Sequence, residues 1–299
     1  MFLVTGASGQ LGRRVVQRLC AQNIPVRAFV RLSSDYDQLR QWGADLYIGD
    51  VQNQRDLVKA AQGVRYIIAC HGSKISSGQH LAVDYRSSIE LIEIAKAIGL
   101  EHFTYISALA VTTDRQDSPL LKAKWEVENH LQASGLNYTI LRPATLMSSL
   151  IPLAVRFQQT GVYLLLGNPE HRIGLVSTDD LAKIALAAPQ TPAAYKQTFT
   201  VASSQVLYRQ DVPQIFGRFF NKQPITINVP QGAVDGAWTM LGLFNAEIKN
   251  ELGTLRTLLG HECYGQPQEI ERMEQTFGLG SENLETFLSR HFNQIEAYD

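Results

Sequence analysis

A short apolar run, Phe2 to Val4, opens directly into Gly6-x-x-Gly9-x-x-Gly12 within VTGASGQLG, residues 4–12. An amphipathic segment follows, with Val15, Val16, Leu19 and Cys20 at helical spacing. Strand, glycine turn and helix in this order form the first unit of a doubly wound α/β sheet. The glycines let the backbone turn sharply and approach a pyrophosphate, and the helix N-terminus directs partial positive charge at it. The pattern predicts a dinucleotide held by Gly6, Ala7, Ser8, Gly9, Gln10, Leu11 and Gly12.

The same rhythm continues. Strands are expected at Val26–Val30, Asp45–Ile48, Tyr66–Cys70, His102–Ser107 and Tyr138–Arg142. Helices are expected near 13–21, 34–43, 54–62, 87–98 and 119–134. Apolar strands alternating with helices imply an α/β fold, a Rossmann-type doubly wound parallel sheet covered on both faces. Residues 1–150 are read as the dinucleotide-binding domain. Residues 151–299 are read as a smaller C-terminal substrate or partner lobe, with about 172–202 returning to the main sheet as a helix near 180–188 and a strand at 197–201. Later, Ile225–Val229 reads as a short strand, and 268–277 and 282–292 as helices. Ser281 is the expected cap of the last one.

Composition narrows the function classes. A net charge of −1 argues against a general nucleic-acid or membrane-surface binder. The apolar stretches are too short to span a bilayer, so no transmembrane segment is expected. The first residues read as a core strand, so no signal peptide is expected. The three cysteines are widely separated and no histidine pair has ligand spacing. The expectation is reduced thiols, no metal, and a cytoplasmic setting, or the plastid stroma in a photosynthetic eukaryote.

Cofactor choice turns on the end of the second strand, where NAD-binding folds place a carboxylate against the adenosine ribose. Here VRAFVR, residues 26–31, ends in Arg31, whose guanidinium suits a 2′-phosphate. Arg13 and Arg14 add charge nearby, while Asp35 and Asp37 keep NAD(H) as the alternative to NADP(H). Gly49, Asp50 and Val51 follow the third strand, with Asp50 facing either the adenine or a local turn. Ala69, Cys70, His71 and Gly72 follow the fourth strand and are expected to line the cleft.

Lys124 carries its own signal. Leu120, Lys124, Val127 and Leu131 share one helical face that is otherwise apolar. An ammonium there needs an acceptor, which a ribose would supply. The alternative is a solvent-reaching lysine paired with Glu128 at i+4. His71 is a candidate proton donor because its class titrates near neutrality. Tyr85, Ser107 and Ser118 are further candidates. LIPLAVRF at 150–157 and the stretch from Trp238 to Phe244 supply apolar bulk for a substrate pocket or for packing.

Taken together, VTGASGQLG at 4–12, VRAFVR at 26–31, GD at 49–50, FTYIS at 103–107, KAKWEVENHLQASGLNYTILRP at 122–143 and VSTDDLA at 176–182 resemble the atypical short-chain dehydrogenase/reductases, NmrA-like branch. The look is nearest to the cyanobacterial and plastid members. The resemblance implies NADPH-dependent quinone or isoflavonoid-type reductases, NADP-binding redox sensors, or a photosystem-assembly factor. It places the family's lysine at Lys124, and Pro143, Ala144 and Thr145 in the loop bordering nicotinamide and substrate. It also exposes a departure: the family's tyrosine, four residues before the lysine, falls on Leu120, and its serine falls on Leu109.

Two functions follow as expectations. One is an NADPH-dependent oxidoreductase acting on a small, planar, apolar acceptor such as a quinone, with Lys124 and His71 as its catalytic candidates. The other is a non-catalytic NADP(H) sensor or assembly factor with a protein partner.

Overall fold

The structure is a computed structural model that describes residues 1–73, 79–112, 118–233, 235–236, 254 and 256–296. The stretch from Trp238 to Phe244, expected to add apolar bulk, lies outside the described residues.

The chain begins with β1 (Phe2–Thr5), α1 (Gln10–Ala21), β2 (Val26–Val30), α2 (Asp37–Gln41), β3 (Asp45–Ile48), α3 (Gln54–Ala60) and β4 (Tyr66–Ala69). A π-helical turn, His80–Arg86, runs straight into α4 (Ser87–Ala97). Then come β5 (His102–Ile106), α5 (Pro119–Ala133) and β6 (Tyr138–Pro143). The second half holds β7 (Thr145–Leu146), α6 (Ile151–Thr160), β8 (Val162–Leu166), β9 (Arg172–Val176), α7 (Thr178–Ala187), β10 (Gln197–Val201), β11 (Val206–Tyr208), α8 (Asp211–Phe220), β12 (Ile225–Val229), α9 (Pro267–Phe277) and α10 (Leu284–Glu296).

Seven strands form one sheet in the order β10-β6-β5-β4-β1-β2-β3, with every pair parallel. The chain winds from β1 outward to β3, then returns past β1 to β4. The carboxyl ends of β1 and β4 therefore face a crevice at the switch point, where ligands bind in such sheets. All four β1 residues are buried, because both faces of the sheet are covered. Phe2 and Val4 pack with Val15, Val16 and Leu19 of α1 and with Leu181 and Ile184 of α7. Leu3, one step out of phase, points to the other face with Leu57, Leu91 and Val127.

Of residues 172–202, α7 packs against α1 and β10 pairs with β6 in the main sheet. Strand β9 instead sits between β7 and β11 in a separate three-stranded sheet. A parallel pair, β8 and β12, stands apart. Phe157 of α6, Phe216 of α8 and Leu288 of α10 form the core of this smaller part. Leu150, Ala154 and Phe157 from LIPLAVRF are buried in that core.

The helix expected at 87–98 is present as α4, and a π turn that no pattern announced runs into it. Two sequence expectations need correction. The helical piece near 34–43 shrinks to Asp37–Gln41. The cap of α10 is Asn283, whose side chain accepts from Thr286 N at 2.8 Å, rather than Ser281, which lies too far ahead of the first turn.

Candidate functional site

At the switch point, Gly6 takes a left-handed φ of +64°, and a Cβ there would lie 2.7 Å from His71 Cα. At Gly12 a Cβ would lie 2.3 Å from the Gly6 carbonyl oxygen. Glycine is thus required at both positions: at Gly6 so that the turn can pass under the end of β4, and at Gly12 so that α1 can close on the turn. Gly9 is the N-cap of α1, with no side-chain cap and no acidic residue in the first turn. The helix start is left for an external anion.

Above this turn lies a cleft with about 820 Å³ of empty space. Gly6, Ser8, Gly9, Arg31, Asp50, Val51, Cys70 and His71 line it, all expected from sequence. Gly72, also expected, lines it, as do Phe29, Val30, Gln52 and Val83. Val30 and Gln52 adjoin expected residues in the chain, and Phe29 lies two before Arg31. Val83 arrives on the π turn, which no local pattern revealed.

Other expected residues stand elsewhere. Ala7, Leu11 and Ala69 are buried in the packed core behind the cleft. Gly49 donates its N–H to Val30 O at 3.0 Å, which ties β3 to β2. Gln10 is exposed and borders a second cleft, where Ser148 Oγ donates to its Oε1 at 2.7 Å. Pro143, Ala144 and Thr145 lie further along the carboxyl edge. Pro143 O accepts from Leu109 N, and Ala144 N donates to Val201 O, both at 2.9 Å.

Arg31 is exposed, and its guanidinium makes no hydrogen bond or ion pair with the described residues. Asp35 is engaged by Arg13 at 3.4 Å. Arg13 and Arg14 face the second cleft rather than the first. Asp50 accepts from Gln52 N at 2.9 Å, so its local-turn role is present together with its cleft position.

Lys124 is half-buried on α5, with its ammonium donating to Ile106 O at 3.1 Å and 5.4 Å from the Tyr105 ring centroid. Pairing with Glu128 is not what occurs. Arg142 Nε holds that carboxylate at 3.0 and 3.2 Å, and Ser107 Oγ donates to it as well. Burial lowers the Lys124 pKa, opposed by the charges of Asp84 and Glu128. Asp84, on the π turn, accepts from Ser73 N at 3.2 Å and bonds His80 Nδ1 at 3.1 Å. Burial pushes its carboxyl up, but the bonds from His80 and Ser73 and the charge of Lys124 outweigh that and hold it below the usual range.

His71 requires a correction as a proton donor titrating near neutrality. Burial lowers its pKa to about 4. Its Nδ1 meets Thr5 Oγ1 at 2.7 Å, and its Nε2 meets Ser87 and Ser88 Oγ at 3.2 and 3.1 Å. Both nitrogens are committed to the protein. Burial also pushes the Cys70 thiol up to about 12, which keeps it protonated and inert. Tyr105 is fully buried, Tyr85 packs in the core behind the sheet, and Ser118 caps α5. Among the described residues, no group of three or more metal-ligating side chains could hold an ion.

Comparison with known proteins agrees with this geometry. A family model described as NAD(P)H-binding matches residues 6–192. The chain is 29% identical over 205 residues to photosystem II assembly factor Ycf39 of Trieres chinensis, covering 68% of this chain and 64% of that protein. Against Ycf39 of Cyanophora paradoxa it is 26% identical, covering 98% and 92%. Against an NAD(P)H azoreductase of Xenophilus azovorans it is 28% identical, covering 85% and 87%. Among solved structures, NADPH-dependent quinone oxidoreductase QOR2 of Escherichia coli, complexed with NADPH, has the same fold. Its TM-score is 0.77 at 21% identity, covering 98% of this chain and 100% of that one.

Proposed function

The chain belongs to the NAD(P)H-binding family, and from that premise we propose that it is an NADPH-dependent reductase of a planar apolar acceptor such as a quinone. The observation that carries this reading is the glycine cradle opening onto Arg31. The helix N-terminus lacks a side-chain cap, two glycines leave no room for a Cβ, and the guanidinium at the end of β2 has no partner among the described residues. Such a site fits a dinucleotide with a 2′-phosphate.

In this reading Gly6, Ser8, Gly9 and the first turn of α1 hold the pyrophosphate. Arg31 selects the 2′-phosphate, and Asp50 and Val51 border the adenine side. Lys124 offers its ammonium to the nicotinamide ribose from a position already fixed by Ile106 O. His71, neutral and bonded at both nitrogens, shapes the wall. The bound NADPH supplies hydride chemistry, and the protein supplies orientation and exclusion of water. Leu120 stands in place of the family tyrosine, and the phenol that does lie beside Lys124, Tyr105, is buried away from the cleft lining, so a reduced quinone takes its protons from solvent. A cytoplasmic or stromal setting is part of the proposal. Among the described residues no helix is long and apolar enough to cross a membrane.

A second reading, a cofactor-binding assembly or sensor protein, is favoured by that same leucine and by the named role of the Ycf39 relatives. In that case the partner is another protein.

The cofactor reading is tested by Arg31→Glu. NADPH affinity, measured by fluorescence titration, is expected to fall by one to two orders of magnitude while NADH affinity changes little, since a charge-assisted bond to an anion contributes roughly 1.5–3 kcal/mol. Equal losses for both cofactors would remove Arg31 as the selector.

A further inference from the structure

We propose that the second cleft, which runs along α1, is a binding site for a small planar organic anion: a ring bearing a carboxylate or a phosphate. This cleft has a volume of about 480 Å³ between α1, α2, the start of α7 and α10. That is ample for such a ligand.

Its charge is lopsided. Arg13, Arg14 and Arg290 line it against the single carboxylate of Asp179. That carboxylate is already shared: Arg18 reaches Oδ1 at 3.1 Å, Arg14 reaches the same oxygen at 3.5 Å, and Arg290 reaches Oδ2 at 2.7 Å. Three guanidiniums, each with five N–H donors, cannot be satisfied by two oxygens. Glu282 takes up part of Arg290 at 2.6 Å. Arg14 spends its Nη1 on Gln17 at 2.8 Å, a neutral partner. Arg13 donates to Gln38 Oε1 at 3.2 Å, to Asp35 O at 3.1 Å and to the exposed Asp35 carboxylate at 3.4 Å, the last a pair that contributes little in water, and these leave part of its five donors unspent. Donors on Arg13 and Arg14 therefore remain available to an incoming anion, and forked guanidiniums match carboxylate and phosphate oxygens.

The same walls are aromatic. Trp42 of α2 lies on one side, with Phe287 and His291 of α10 on the other. The Phe287 and His291 rings are stacked, with planes 17° apart and centroids 6.1 Å apart. Flat rings beside arginines suit a planar ligand that carries a negative group. A tie that served only to hold α1 to α10 would need neither the open volume nor the rings. Gln10 borders this cleft from the first turn of α1, so the site adjoins the cofactor turn without sharing its lining glycines.

The test is calorimetric titration of the NADPH-saturated full chain with phenyl phosphate, benzoate and inorganic phosphate, repeated without NADPH. The variants are Arg13→Glu and Gln17→Glu, the second of which keeps a bond to Arg14 while offsetting its charge. Both positions are on the surface, and thermal melts check folding. Saturable binding of at least one ring anion is expected, tighter than inorganic phosphate and weakened about tenfold or more in each variant, with NADPH affinity unchanged in Gln17→Glu. Preference for phenyl phosphate assigns a phosphate ligand, and preference for benzoate assigns a carboxylate. The proposal is overturned if neither ring anion saturates, if binding survives both variants, if inorganic phosphate binds as well as the ring anions, or if NADPH abolishes binding, which would place the anion in the cofactor cleft.

Discussion

Lys124 concentrates the chemistry at the scale of single residues. Its sequence signal was an ammonium on an apolar helical face, and its structural answer is a carbonyl partner, Ile106 O, at the lip of the sheet. Lys124→Ala is expected to weaken NADPH binding about tenfold with the fold intact, a loss of one charge-assisted hydrogen bond. Unchanged affinity in a fluorescence titration would remove Lys124 from the cofactor site. His71 shows the opposite lesson. Its place after β4 was legible, but its protonation was not, because that depends on Thr5, Ser87 and Ser88, distant in sequence. Burial lowers both His71 and His102 to about 4, from an ordinary value of 6.5. The unfolded chain therefore binds more protons than the folded one between pH 6.5 and 4. Stability is full above 6.5 and falls as pH drops through that window, by up to roughly 3 kcal/mol for each histidine. Denaturant melts at stepped pH should show this slope, reduced by about one proton in His102→Gln. A flat profile over the window would mean that these rings are not held neutral by burial.

Among elements, β1 and β2 were readable to the residue because parallel strands buried on both faces are short apolar runs bounded by turns, and β3, at the open edge of the sheet, matched its expected residues although only partly buried. Glycine spacing also located α1, since Gly9 and Gly12 set where the helix begins. The π turn His80–Arg86 escaped because its polar residues satisfy each other and Ser73 rather than forming a stripe. Strand β12 matches its expected residues, Ile225–Val229, whereas β7, β8, β9 and β11 escaped because short strands outside the main alternation are selected by their neighbours rather than by propensity. Within VSTDDLA the two aspartates do not cap α7. The cap is Ser177, which accepts from Asp180 N at 3.0 Å, and Asp179 gathers arginines from α1 and α10 instead. Its pKa is raised by burial and lowered more strongly by Arg14, Arg290 and Arg18. Asp179→Asn leaves three guanidiniums facing one another and should cost about 3 kcal/mol, the scale for breaking a largely buried pair. A thermal melt within a degree of the parent would show that this cluster does not join α1 to α10.

For the whole molecule, the seven-stranded parallel sheet fixes where a ligand binds, and the glycine turn fixes what class of ligand it is. Both were legible, since both follow from local sequence and one topological switch. What the cofactor is used for was less legible, because Leu120 removes the residue that would have declared an acid catalyst. In the proposed reductase a bound nicotinamide suffices for an acceptor that draws protons from water. The most direct measurement is NADPH oxidation by the purified protein across a panel of quinones, with NADH in parallel. Quinone-dependent, saturable consumption that prefers NADPH is the predicted result. No consumption by a preparation that binds NADPH tightly would contradict the reductase and leave the assembly or sensor reading in its place.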